Sequence, residues 1–488
     1  MTNRKSLTII SFILITTLNV NITKGNTSSL AVSGYVDYSY ISRLSDGSLI
    51  RLPYRISSIN FENRMKNISL NGNLSIEYHI KDDTYFLGSS NPQDFILDLR
   101  ELYLTYSGNK YDFRIGKQIH SWGNVDENSP TDNASGLDYY YLFFGGIDRK
   151  MASLSIALDY YIGDLKINSV FSPIHSTNRI PLGNDDFPVE LPVYPDPSEI
   201  LPISGKPFEG GIRGIYSAGF GNISASYFTG YDRTFNLTGV NVYGRGSDLS
   251  NPFVDIVYGY RKTNVLGMGI VLLNNWVTIR SDVGLFLTKD KNKNIARQSS
   301  RSTLYSFYLT DSLHLSYPLI EKSQYVQATF QIETELPFGL NIIAQYFVHD
   351  RLDYSSDSLP IDQEISIPNL EVDPENLNPA NFFTPGMGVP IAILTDKAIF
   401  LKLNKNILDN QLELGLTSML DISNSSNSHL ANGSLTELKA IFSFNQNTNI
   451  ALALTKIIGN EHHPDRNDYP FNKMEDFSHF RFELKYFF

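Results

Sequence analysis

The chain has 488 residues, a formal net charge of -11 and no cysteine. No disulfide framework, thiolate metal site or cysteine nucleophile is therefore available, and the acidic balance argues against a nucleic-acid binder, which needs a basic face for phosphates. Aromatics are abundant, with 29 Tyr and 30 Phe beside only 2 Trp, yet after the N-terminal segment no run of about 20 apolar residues offers a membrane helix.

The first segment reads as an export signal. Arg4 and Lys5 precede an apolar core from Leu7 to Leu18, which is shorter than a membrane span. Cleavage is expected between Asn21 and Ser28, leaving residues 28–488 as a single domain whose first strand begins near Leu30 with no separate plug ahead of it. Period-two alternation then begins. Leu70, Gly72, Leu74, Ile76, Tyr78 and Ile80 alternate with Asn71, Asn73, Ser75, Glu77, His79 and Lys81, the pattern of a strand with two unlike faces.

Residues 98–132 read as a hairpin followed by a loop. The apolar phase slips between Leu97/Leu99 and Leu102/Leu104/Tyr106, which predicts a β-bulge near Arg100. After the turn Ser107-Gly108-Asn109, Tyr111, Phe113 and Ile115 point one way while Asp112, Arg114, Gly116 and Gln118 point the other. Gly116 is expected to leave room for a neighbouring side chain or an inward loop. Trp122 falls at the strand's end, at an interface or at the root of the loop 123–150, whose polar, turn-rich sequence is expected to fold inward as a constriction.

Further along, Leu154, Ile156, Leu158 and Tyr160 make one face. Val277, Ile279, Val283, Leu285 and Leu287 oppose Thr278, Arg280, Asp282 and Thr288. Leu340, Ile342, Ala344, Tyr346 and Val348 form another face, as do Leu412, Leu414, Leu416 and Leu420. The turn Gly219-Phe220-Gly221 reads as a short hairpin connection. Two connections are long and proline-rich, 172–209 and 353–390; proline cannot donate to a ladder, so they are loops, which in a barrel face the outside or fold into the lumen. The first carries Asp185, Asp186, Glu190, Asp196 and Glu199, and the second Asp362, Glu364, Glu371, Asp373 and Glu375.

Alternation alone does not separate a soluble sandwich from a membrane barrel. Three features do. The segments run to about ten residues, the length a tilted strand needs to cross a bilayer. Tyr38, Tyr40, Tyr106, Tyr160, Tyr161, Phe171, Tyr227 and Phe228 recur near strand ends, where aromatic girdles lie. The last stretch interleaves Phe480, Phe482, Leu484, Tyr486 and Phe488 with Arg481, Glu483 and Lys485. An amphipathic last strand ending in Phe, with Tyr486 and Phe488 foremost, resembles the signal that the outer-membrane barrel-assembly machinery reads. The expected fold is therefore all-β: a transmembrane antiparallel up-and-down barrel of roughly 16 strands (about 14 to 18, an even number), with long external loops.

One stretch is more specific. Arg100-Glu101-x-Tyr103, Arg114-x-Gly116-x-Gln118-x-x-x-Trp122-Gly123 and Pro130-x-Asp132 resemble a group of porin-like outer-membrane β-barrels of unknown function, and more remotely the alginate-export channels. The resemblance implies a barrel that passes or exports a solute, which it does not name.

Catalytic patterns are missing. The chain contains no G-x-S-x-G elbow, no phosphate-binding glycine loop and no metalloprotease helix motif, so no enzyme and no cofactor is expected. His462 and His463, among 9 histidines, lie in a polar loop without metal-ligand spacing. The segment Asp126 to Asp138 offers oxygen donors but not the spacing of a calcium loop.

The expectation is a channel of the Gram-negative outer membrane that passes a small polar solute or a polysaccharide through a polar lumen. The inward face carries Glu77, Arg114, Arg280, Asp282, Gln345 and His349. Glu101, Arg114, Gln118, Arg280 and Asp282 are the candidate lumen residues, and Asp126, Asp132, Asp185 and Asp186 the candidate loop residues; no metal site is expected. The acidic balance predicts a bias toward cations. The partners implied are outer-membrane lipids, the assembly machinery and the solute, with homo-oligomerisation left open. The alternative is a surface-binding barrel acting through its proline-rich loops.

Overall fold

The computed structural model describes residues 29–79, 95–142, 149–181, 186–189, 195, 199–203, 205–245, 248–299, 311–357, 378–423, 431–464 and 466–488. The expected signal segment and Asp185 lie outside them. The strands are, in chain order, β1 (Ser29–Arg43), β2 (Tyr54–Met65), β3 (Ile68–Tyr78), β4 (Phe95–Ser107), β5 (Tyr111–Gln118), β6 (Gly136–Leu137), β7 (Lys150–Met151), β8 (Ser153–Ile162), β9 (Leu165–Ser172), β10 (Glu209–Ala218), β11 (Gly221–Tyr231) and β12 (Asn236–Arg245). They continue with β13 (Asp248–Gly259), β14 (Lys262–Leu273), β15 (Thr278–Lys289), β16 (Ser312–Pro318), β17 (Lys322–Leu336), β18 (Leu340–Ser355), β19 (Lys397–Ile407), β20 (Leu412–Asp421), β21 (Gly433–Asn445), β22 (Thr448–Ile458) and β23 (His479–Phe487).

Eighteen of these form one antiparallel sheet that closes on itself where β1 pairs with β23. The count stands at the top of the expected range. Turns as short as Lys66-Asn67 and Gln446-Asn447 separate consecutive strands, so two strands are easily read as one. Short turns connect the strands at one end of the barrel, where β1 begins and β23 finishes, and the long connections all lie at the other. Strands β13, β12 and β16, supplied by two of those long connections, form a separate three-stranded sheet.

The alternation resolves as expected. On β8, Leu154, Ile156, Leu158 and Tyr160 are exposed on the outside, whereas Ser153, Ser155, Ala157 and Asp159 are buried inside. The outward leucines and isoleucines of β4, β5, β20 and β22 continue that apolar surface. Such a continuous apolar exterior has its counterpart in lipid, not water. The protein is a transmembrane β-barrel.

The bulge is at Arg100: Asn73 pairs with Glu101 and Leu74 with Leu99, leaving Arg100 as the extra residue. Gly116, at φ 137, has a different role from the one expected. A Cβ there would lie 2.3 Å from the Leu102 carbonyl oxygen, so the glycine admits the neighbouring strand's backbone instead of holding space open for a loop. The chain's end completes the seam: the Gly34 amide donates to the Phe488 carbonyl at 2.9 Å, and the Phe488 amide returns a bond at 3.1 Å.

The inner face is less polar than the alternation predicts. Val170, Phe228, Val265, Phe286, Tyr325, Phe347 and Met419 are buried within the barrel. Phe228 in particular packs edge-to-face on Trp122 at 6.4 Å and belongs to no girdle, while Tyr38, Tyr40, Tyr106, Tyr160, Tyr161, Phe171 and Tyr227 are exposed on the outside.

Candidate functional site

The loop after β5 folds into the barrel, and the wall is shaped to receive it. Inward glycines clear a recess: a Cβ on Gly269 would lie 1.8 Å from Asn124 Nδ2, and one on Gly267 would lie 2.9 Å from Thr131 Cγ2. Within that recess Asp282 is wholly buried. A buried carboxylate needs donors, and the loop supplies them. The Asn124 amide and Nδ2 each donate at 2.6 Å, the Val125 amide at 3.0 Å and Ser129 Oγ at 2.8 Å.

Neighbouring wall residues extend the anchorage. Gln331 Oε1 accepts from the Asp126 amide at 3.1 Å, and Gln331 Nε2 donates to Asp126 Oδ2 at 3.0 Å. Thr329 Oγ1 donates to the Asn128 carbonyl at 2.6 Å. Arg213 donates to Asn124 Oδ1 at 2.6 Å and Arg280 to the Asn124 carbonyl at 3.1 Å. These contacts fix the loop against β10, β15 and β17.

The charges left toward the lumen are of both signs. Asp126 and Glu127 have side chains 43% exposed, beside Arg280 at 30% and Arg149 at 11%. Arg280 reaches Glu333 at 2.6 Å and Asp126 at 3.5 Å, and Arg149 reaches Glu127 at 3.8 Å. Lys402 and Lys439 also face inward, on the same side of the sheet as Gly415 and Thr417.

The second proline-rich connection also folds inward. Residues 379–396 continue the chain after β18, and the Tyr325 hydroxyl donates to the Met387 carbonyl at 3.0 Å. The Val389 amide donates to Gln327 Oε1 at 2.8 Å. Val389, Ile391 and Leu394 join Ile50, Leu52, Phe187 and Phe471 in an apolar cluster drawn from several loops. The signal was present: FTPGMGVPIAIL is an apolar stretch in a loop, and such a stretch gains by leaving solvent. Arg233 clips the two loops together, its amide donating to the Gly386 carbonyl at 2.7 Å and its guanidinium to the Asn133 carbonyl at 2.9 Å. Asp132, Asn133, Arg233, Gly386 and Met387 line a cleft between them.

The sequence candidates are distributed as follows. Arg114 faces inward and pairs with Asp159 at 3.4 Å, beside Lys166 at 3.3 Å. Glu101 Oε1 accepts from the Ile119 amide at 2.8 Å, at the root of the loop. Gln118 and Asp282 also face inward but are buried, so they support the constriction without lining it. Arg280 and Asp126 remain open. Asp132 accepts from the Trp122 amide at 2.9 Å and pairs with Lys150. Asp186 accepts from Arg43 at 2.5 Å and from the Arg51 amide at 3.1 Å, joining two loops at the mouth. Tyr486 is exposed on the outer face and Phe488 closes the seam. Glu77, expected on the inner face, is bound by Arg179 at 2.6 Å, and His349 is buried against Tyr325.

Burial shifts the proton affinities of His120 and Asp138 in the loop after β5. Burial holds the His120 imidazole down at about 4, and its Nε2 stands 2.8 Å from Ser155 Oγ. Burial also raises the Asp138 carboxyl, although Arg179 and Arg55 oppose the shift.

No protein-family model matches the chain, and no curated protein matches it in sequence. Among solved structures it is similar to Acinetobacter baumannii OccAB4, at 10% identity and a TM-score of 0.45, over 96% of this chain and 100% of that one. It is also similar to the outer membrane channel DcaP of A. baumannii, at 11% identity and a TM-score of 0.40, over 96% and 99%. A Salmonella typhi OmpF structure with daunomycin matches at 10% identity and a TM-score of 0.38, over 96% and 99%.

Proposed function

We propose that the protein is a diffusion channel for small polar solutes, narrowed by its own inward loops. The observation that carries this reading is the loop 122–131, pinned to the wall by Asp282 while Asp126, Glu127 and Arg280 stay exposed to the lumen. A loop held this firmly narrows a passage without sealing it, and a two-signed rim excludes neither ion sign. Exposed carboxylates on the loop outweigh the cations beside them in exposure, so the channel weakly prefers cations. Passage of a polysaccharide, the other cargo expected for the lumen, would need the second loop to yield.

The test is single-channel conductance of the purified protein in a planar bilayer. Stable ion-conducting steps, blocked by a particular solute, support the channel. A folded barrel that never conducts overturns it and favours the reading of a surface-binding barrel.

A further inference from the structure

Lys262, Lys289 and Lys322 are far apart in sequence but opposite one another in the barrel. Lys262 on β14 pairs with Lys289 on β15, which pairs in turn with Lys322 on β17. Side chains at such positions stand about 5 Å apart on one face. That face is the outer one, because the adjoining Thr263, Thr288 and Ser323 are buried inside. Like charges placed directly opposite destabilise a sheet unless something offsets them. Among the described residues none of the three lysines has an ion-pair partner. The carboxylate nearest Lys322 in register on that face, Asp353, stands opposite Gln324. Lys262 does lie 4.6 Å from the centre of the Tyr231 ring.

The depth of the row identifies what surrounds it. One rung further into the membrane come Asn264, Leu287 and Gln324, and the next rung is the apolar row Leu266, Leu285 and Val326. The exposed Tyr227 hydroxyl donates to Asn264 Oδ1 at 3.0 Å, an aromatic with its polar tip at the boundary. The lysines thus stand at headgroup level, at the end of the barrel with the long loops. Ammonium groups act as point charges toward phosphate, and three in a row match a multiply phosphorylated headgroup better than a single anion.

We propose that Lys262, Lys289 and Lys322 form a binding site for the phosphates of an anionic glycolipid headgroup in the surrounding leaflet. The inference depends on membrane insertion and not on whether the lumen conducts.

Titration of the detergent-purified full chain with diphosphoryl lipid A, read by native mass spectrometry, tests it. Affinity should fall about fivefold per lysine changed to glutamine, and roughly a hundredfold in K262Q/K289Q/K322Q. The triple arginine variant should still bind, and Lys397→Gln with Lys456→Gln, two outward lysines outside the row, should bind as wild type. Heat-dependent migration on gels confirms that each variant is folded. Undiminished binding by the glutamine triple overturns the site, as does an equal loss in the Lys397/Lys456 control. Displacement of lipid A by equimolar inorganic phosphate overturns the assignment to a lipid.

Discussion

Asp282, on the wall strand β15, accepts the main-chain amide of Asn124 at 2.6 Å across 158 positions of sequence. With three further donors from the same loop, it makes the constriction part of the wall. Hydrogen bonds to a buried charge are worth about 1.5 to 3 kcal/mol each, and stranding the donors costs as much again. Asp282→Ala should therefore lower stability by about 3 kcal/mol, seen as a lower denaturant midpoint. It should also turn steady conductance into flicker; unchanged noise would show that the loop holds without it.

Asp126 and Glu127 carry the exposed negative charge of the loop. Asp126→Asn with Glu127→Gln should shift the reversal potential in a salt gradient toward anions, and Arg280→Gln should shift it toward cations. Both shifts should shrink at high salt, because screening shortens to about 3 Å at 1 M.

His120 makes the root of the loop sensitive to acid. Its proton affinity is held at about 4, below the ordinary 6.5, by burial. A base depressed on folding contributes fully above its unfolded value, and its contribution is lost as pH falls from about 6.5 to about 4. Wild type should lose stability across that window, by at most about 3 kcal/mol, and His120→Gln should flatten the profile. A profile unchanged by the substitution would remove His120 as the cause.

Gly388 is the test of the second loop. It has φ +103, and a Cβ there would fall 2.2 Å from Gln327 Oε1. Gly388→Val should displace the loop 379–396 at a cost above about 1 kcal/mol. Faster proteolysis within that loop and a larger conductance are the expected readouts.

Phe488 and Gly34 exchange two backbone bonds at the seam, and the Phe488 ring lies 2.7 Å from where a Gly34 Cβ would be. Gly34→Leu and deletion of Phe488 should each slow folding into lipid vesicles, measured by heat-dependent gel migration. Normal rates in both would leave the last residue without a part in closure.

The sequence by itself determined the strands and their two faces. Alternation is local, so Leu154 to Tyr160 and Arg280 to Thr288 were legible at once, and so was the bulge at Arg100, where the phase slips. Even the inward fold of the loop after β5, which the structure describes through residue 142, could be read, from a polar loop beside an inward-facing strand. What only tertiary structure decided is which inward residues meet. Asp282 reads from the sequence as a lumen charge and is a buried anchor, because its donors lie 153 to 158 positions away. The inward Phe228 passed for a girdle aromatic, since alternation reports the phase of a face and not its environment. The apolar loop 383–394 found its place only against Phe347 and Met419. The row Lys262, Lys289 and Lys322 likewise exists only through strand register, which is set by pairing across the whole sheet.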